Sequence, residues 1–254
     1  MPKLTKLFFH HHLPSLIRPN NIQTPSMKPQ RFLLALLAAP LLFTLTSCSE
    51  TDDSEDPQYA DWQTRNEAYF KARLAEAHTN IAQAQAAYGN DWEAHTPWRA
   101  YRVYSQASSS AATWEDSVAV YITKSGTGSG CPLYTDSVRV NYTARLIPNA
   151  LATQGSEAQT RGFLVSYSGS SRDSVDVFSD AYGVPAKFAV SNTIAGFTTA
   201  LQHMHIGDQW RLYIPAALAY ESSSTTGVPA YSTIVYDVQL KAYYRPGESV
   251  PDWK

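Results

Sequence analysis

The chain has 254 residues, a formal charge of −2, 17% charged residues and 16 tyrosines. No basic stripe is available to neutralise phosphates, which sets aside nucleic acid as a partner. Abundant tyrosine with modest charge also sets aside a disordered chain and suits a folded, β-rich exported protein.

The N-terminus reads as an address. From Met27 the sequence runs MKPQRFLLALLAAPLLFTLTSCSE, with Lys28 and Arg31 before an apolar run from Phe32 to Leu45. That run is too short to cross a bilayer comfortably and has the length of a secretory signal core. Leu45-Thr46-Ser47-Cys48 resembles the lipobox of bacterial lipoproteins, which implies cleavage before Cys48 and lipid chains on it; an ordinary signal peptide or membrane anchor is the alternative. Residues 1–47 thus read as an upstream extension and lipoprotein signal peptide. His10–His12 lie ahead of that signal and receive no metal role. Cleavage leaves roughly 200 residues, enough for one core and an accessory segment, with Cys131 as the one remaining thiol and no internal disulfide. Residues 48–57 form an acidic tether. Acidic residues directly behind the lipidated cysteine resemble the signal of surface-exposed Bacteroidetes lipoproteins. The expected location is the cell envelope, lipid-anchored, at the outer membrane, facing the periplasm or the surface.

Between Gln58 and Tyr88 the sequence lacks glycine and proline and is rich in Ala, Glu, Gln and Arg, which favour helix. Phe70, Leu74, Ala77, Ile81, Ala84 and Tyr88 recur at helical spacing, and Gly89-Asn90 supplies the stop. This stripe either packs on the chain's own β domain, leaving a monomer, or pairs with a second copy as a homodimer. Its alanines make a thin coiled-coil seam and favour packing within the chain. Residues 58–117 read as a helical accessory segment and connector, with a short strand around WRAYRVY and Trp92, Trp98, Tyr101, Tyr104 and Trp114 as packing aromatics.

Beyond Ser117 the period becomes two. Val118, Val120 and Ile122 alternate, then Val138, Val140, Tyr142, Ala144 and Leu146. Phe188 with Val190, then Trp210, Leu212 and Ile214, then Ile234, Tyr236, Val238 and Leu240 continue the series. These are half-buried antiparallel strands. Between them GFTTALQHM places Phe197, Ala200, Leu201 and Met204 on one side of a short helix. The fold class is α+β, an antiparallel sheet wrapped over a short helix and preceded by an N-terminal helical segment.

HMHIGDQW, residues 203–210, invites a metal reading, because on a strand His203 and His205 would share a face. Met204 instead ends the helix, IGDQ turns the chain and Trp210 opens the next strand. The two histidines straddle a helix end and read as incidental, so no metal is expected.

Residues 118–243 resemble the FKBP-type peptidyl-prolyl cis-trans isomerases in four ordered blocks. DSVRVNYTARL resembles the strand ending in His-Tyr-Thr-Gly, and VFSDAYGVPAKFAV the Phe-Asp-Ser-Ser segment with its following Pro-x-x-Phe. TIAGFTTALQHMHIGDQWRLYIPAALAY resembles the Val-Ile-x-Gly-Trp helix, the Met-x-x-Gly turn and the Ile-Pro-x-x-x-Ala-Tyr loop. GVPAYSTIVYDVQLKAY is similar to the closing strand. Residues 147–176 are an insertion, either adding a hairpin through GFLVSYSG or forming a flap, and 244–254 a C-terminal tail.

The resemblance implies an isomerase that rotates X-Pro bonds in exported polypeptides and helps them fold, without cofactor. It implies a catalytic set of Tyr220, Ile194 through its backbone N–H, Phe178 and Asp180, and substrate-binding residues Tyr142, Thr193, Phe197, Val228 and Tyr236. Phe188, Trp210 and Leu212 read as ordinary core. Three departures stand out. Ser179 occupies the family's aspartate position, with Asp180 one place later and able to turn inward only through a bulge. Ala186 replaces an aromatic wall, and Glu221 stands where glycine is usual. Ser179, Ala186 and the insertion motivate the alternative of a non-catalytic peptide-binding or chaperone module of the envelope on the same fold.

Overall fold

In the computed structural model the described residues are 56–106, 111–169, 178 and 183–253. The signal, most of the tether, Cys48, Ser179 and Asp180 lie outside them.

Helix α1, Trp62–Tyr88, follows a 3-10 turn at Pro57–Tyr59 and ends at Gly89, whose φ of 57° suits glycine. Its stripe is buried at Phe70, Leu74, Ala77 and Ala84 and extends back to Trp62 and Asn66. Tyr88, assigned to the stripe on spacing, is exposed and stacks on His95 of the following turn, ring centroids 3.5 Å apart. Strand β1, Trp98–Arg102, forms within WRAYRVY, and β2 spans Ser117–Lys124. Next come β3 (Ser137–Arg145), α2 (Glu157–Thr160), β4 (Leu164–Ser168) and β5 (Ala186–Ala189). The chain closes with α3 (Ala195–Leu201), β6 (Gln209–Ile214) and β7 (Ile234–Tyr244).

All pairings are antiparallel, in the order β1-β2-β6-β7-β3-β4, and β5 also pairs with β3. Two short strands share the outer edge of β3: β5 covers Ser137–Val140 and β4 covers Tyr142–Arg145. The stretch GFLVSYSG adds one strand, β4, to the edge of the sheet. Arg145, 4% exposed, pairs with Glu157 of α2 at 2.8 Å and ties the long β3–β4 connection to the sheet.

Alternation along the strands makes three layers. Val118, Val120, Leu212, Val238 and Leu240 face α3, against Phe197, Ala200, Leu201 and Met204. Ala119, Tyr213 and Val235, offset by one residue, face α1, against Phe70, Leu74 and Ala77. The stripe of α1 is thus buried on the chain's own sheet. A Cβ on Gly196 would come within 2.3 Å of the Ile214 side chain, so glycine sets how closely α3 approaches β6. Polar contacts fasten α1 to the segment entering β7. Trp62 Nε1 donates to Ser232 Oγ at 2.9 Å, and buried Asn66 accepts the Thr233 N–H at 2.8 Å. Among the described residues no helix is long and apolar enough to cross a membrane.

Candidate functional site

Where β3, β4, β5 and β7 meet the start of α3, a cavity of about 300 Å³ opens, within the range of small-ligand sites. Strand alternation places Tyr142 and Ala144 from β3, Phe188 from β5, and Ile234 and Tyr236 from β7 on its walls. Val165 and Ser166 close one side from β4; a bulge in the β3–β4 register lies beside this pair. Thr193, Ile194 and Phe197 come from the entry to α3, and Tyr220 and Val228 from the β6–β7 loop.

The rings form a connected wall. Phe197 and Tyr236 lie 4.7 Å apart, Tyr236 and Tyr142 6.0 Å, and Tyr142 and Phe188 5.8 Å, all tilted rather than parallel. Phe197 is buried, whereas Tyr220 at the rim is 37% exposed. Burial, with Tyr220 and Tyr142 nearby, pushes the Tyr236 phenol well above its ordinary range and keeps it neutral. Tyr142 Oη and Ser166 Oγ share a hydrogen bond of 2.8 Å. The Ile194 N–H, just ahead of α3, has no hydrogen-bond partner among the described residues. No described residue lining the cavity carries a charge. The surface is uncharged and largely aromatic, with an N–H and a phenol left to hold a guest.

Tyr142, Thr193, Ile194, Phe197, Tyr220, Val228 and Tyr236, all expected at the site, are brought together here. Phe178 is half-buried and is not among the described residues lining the cavity. Val165 and Ser166, which lie inside the insertion, line the wall beside Tyr142. Phe188, read as core, is half-buried and lines the cavity, while Trp210 and Leu212 are core as expected. Glu221 has a φ of 53°, the left-handed region that glycine occupies at least cost, which explains why glycine is usual there.

The two histidines of HMHIGDQW part company. His203 stacks on Tyr101 at 3.9 Å and on Tyr104 at 5.5 Å, and burial lowers its pKa. His205 lies 3.7 Å from the Cys131 thiol and 3.5 Å from the Asp208 carboxylate. Asp208 pins the turn, accepting the N–H groups of Gly126 and His205, each at 2.6 Å. Burial and Asp208 push the Cys131 thiol up, so it stays protonated.

Residues 131–241 match the family model described as FKBP-type peptidyl-prolyl cis-trans isomerase. The FKBP-type 22 kDa peptidyl-prolyl cis-trans isomerase of Escherichia coli (strain K12) is 34% identical over 110 residues, covering 43% of this chain and 42% of its own. The macrophage infectivity potentiator of Trypanosoma cruzi is 43% identical over 116 residues, covering 45% and 47%. The outer membrane protein MIP of Legionella longbeachae is 32% identical over 120 residues, covering 47% and 41%. The chain spans less than half the length of each of these relatives. The stretch that is similar to this family, residues 131–241, contains the entire cavity.

Proposed function

We propose that the chain catalyses cis–trans rotation of X-Pro peptide bonds in exported polypeptides and so assists their folding. The observation that carries this reading is the uncharged, aromatic cavity with its unpartnered N–H and rim phenol. An X-Pro bond resists rotation because resonance gives the C–N bond double-bond character, with a barrier of ~18–20 kcal/mol, and it isomerises in tens to hundreds of seconds unaided. The planar imide has a large dipole that water stabilises; the twisted transition state separates less charge. Moving the bond from water into a dry pocket removes stabilisation from the planar form and favours the twisted one. A thousandfold acceleration requires only about 4 kcal/mol. Phe197 and Tyr236 hold the prolyl ring, while the Ile194 N–H and the Tyr220 hydroxyl hold carbonyl oxygens on either side of it. No acid, base or metal takes part. Val165 and Ser166 support this reading by closing the cavity beside Tyr142.

NMR exchange between the cis and trans signals of a proline peptide tests this. The full chain should raise the exchange rate at micromolar concentration; an unchanged rate would leave a peptide-binding or chaperone module without catalysis. That second reading is favoured by one observation: among the described residues, the partner of the Tyr142 hydroxyl is a serine hydroxyl. The anchoring reading follows the sequence: lipid on Cys48 and an acidic tether hold the domain at the cell envelope, at the outer membrane. Cys48→Ala should move the protein from the detergent phase to the aqueous phase on partitioning. Retention in the detergent phase would remove lipidation at that residue.

A further inference from the structure

The segment Val190–Ala195 divides the cavity from a second hollow and presents its residues to both sides. Asn192 and Ile194 border the aromatic cavity; Ser191 and Ala195 border a groove of about 370 Å³, and Thr193 borders both. The far wall of the groove includes Tyr104 and Ser105, which lie in the connector before the family-matched stretch, and Tyr134. Tyr104 and Tyr134 are 52% and 57% exposed. Tyr104 is held by its stack on His203 and by a 3.3 Å contact between its hydroxyl and the His203 ring. Thr198, Thr199 and Gln202 add hydroxyl and amide groups beside the apolar Val103 and Ala195. Gln202 donates its amide to the Thr198 carbonyl at 3.2 Å, which leaves its side-chain oxygen open to a donor. No described residue lining the groove is charged, so a phosphate or an ionised side chain finds no counter-charge there. A peptide backbone does find a match: it brings alternating donors and acceptors, and stiff tyrosine rings give contact area at low entropic cost.

We propose that this groove is a subsite for extended backbone, holding the polypeptide that flanks a proline seated in the neighbouring cavity. The inference rests on the reading of that cavity as the prolyl site, and Thr193 supplies the continuity between the two. A protein substrate does not end at its proline, and the groove begins where the cavity stops.

NMR titration of the full chain with an uncharged proline tetrapeptide, and with the same peptide lengthened at one end or the other, tests the proposal. One of the lengthened peptides should bind about fivefold more tightly, about 1 kcal/mol. Tyr134→Ala and Gln202→Ala should each reduce that gain while leaving tetrapeptide binding and turnover unchanged. Equal affinity for all three peptides, or variants that weaken short and long peptides alike, would overturn it. Turnover of the tetrapeptide is read in the same samples. Its absence counts against the isomerase reading alone, because the gain in binding with length does not require catalysis.

Discussion

Tyr220 stands at the rim of the cavity with its hydroxyl available, while Tyr142 has its own hydroxyl committed to Ser166. The two phenols should behave differently when removed. Tyr220→Phe deletes a hydrogen bond made only to substrate, so kcat/KM should fall about fivefold, the equivalent of one net hydrogen bond, with no change in melting temperature. Wild-type turnover would take the hydroxyl out of the mechanism. Ser166→Ala leaves the Tyr142 hydroxyl without its partner and should cost about 1 kcal/mol of stability, most of which the double variant with Tyr142→Phe recovers. Additive losses in that cycle would show the pair to be uncoupled. At this scale the sequence was informative for residues inside recognisable blocks, such as Phe197 and Tyr236. It was silent on Val165 and Ser166, since neither residue type signals a site.

Among the elements, α1 is bound to the sheet by its stripe and to the entrance of β7 by Trp62 and Asn66. Phe70→Ala should destabilise the fold by about 3–5 kcal/mol in chemical denaturation, as a large side chain lost from a packed core does; a value under about 1 kcal/mol would mean that α1 docks only loosely. Asn66→Ala leaves the Thr233 N–H buried without a partner and should cost about 1–3 kcal/mol. Helix and strands were legible because period 3.6 and period two differ plainly in residues 62–88 and 118–240. The surface covering α1 was less so: a stripe says that something is buried, not against what. The edge of β3 was open for a related reason: GFLVSYSG read equally as a hairpin or a flap, and LVSYS pairs with Tyr142–Arg145. Pairing depends on register, which side-chain chemistry does not encode.

For the molecule as a whole, His203 links stability to pH. Its folded pKa lies below the ordinary value because burial between Tyr101 and Tyr104 disfavours the imidazolium. The unfolded chain therefore binds more protons below about pH 6.5, so this contribution is complete above that pH and is lost as pH falls toward the folded pKa. The melting temperature should drop between about pH 7 and pH 5, and His203→Phe, which keeps a stacked ring without a titrating group, should lessen the drop. An identical slope in the variant would assign the effect elsewhere.

The central claim is that an apolar hollow speeds rotation by keeping water from the imide. Val165 sits half-buried on the short strand β4, packs against the Trp62–Leu146–Ile234 cluster and lines the hollow, so Val165→Asp brings a charge and its water into the site. The most direct measurement is cis–trans exchange by NMR for the full chain and this variant, with folding checked by melting. The expected result is an acceleration of roughly a thousandfold by the wild type and loss of most of it in a folded Val165→Asp protein. A wild type no faster than the uncatalysed reaction, or a charged variant equal to it, would contradict the account.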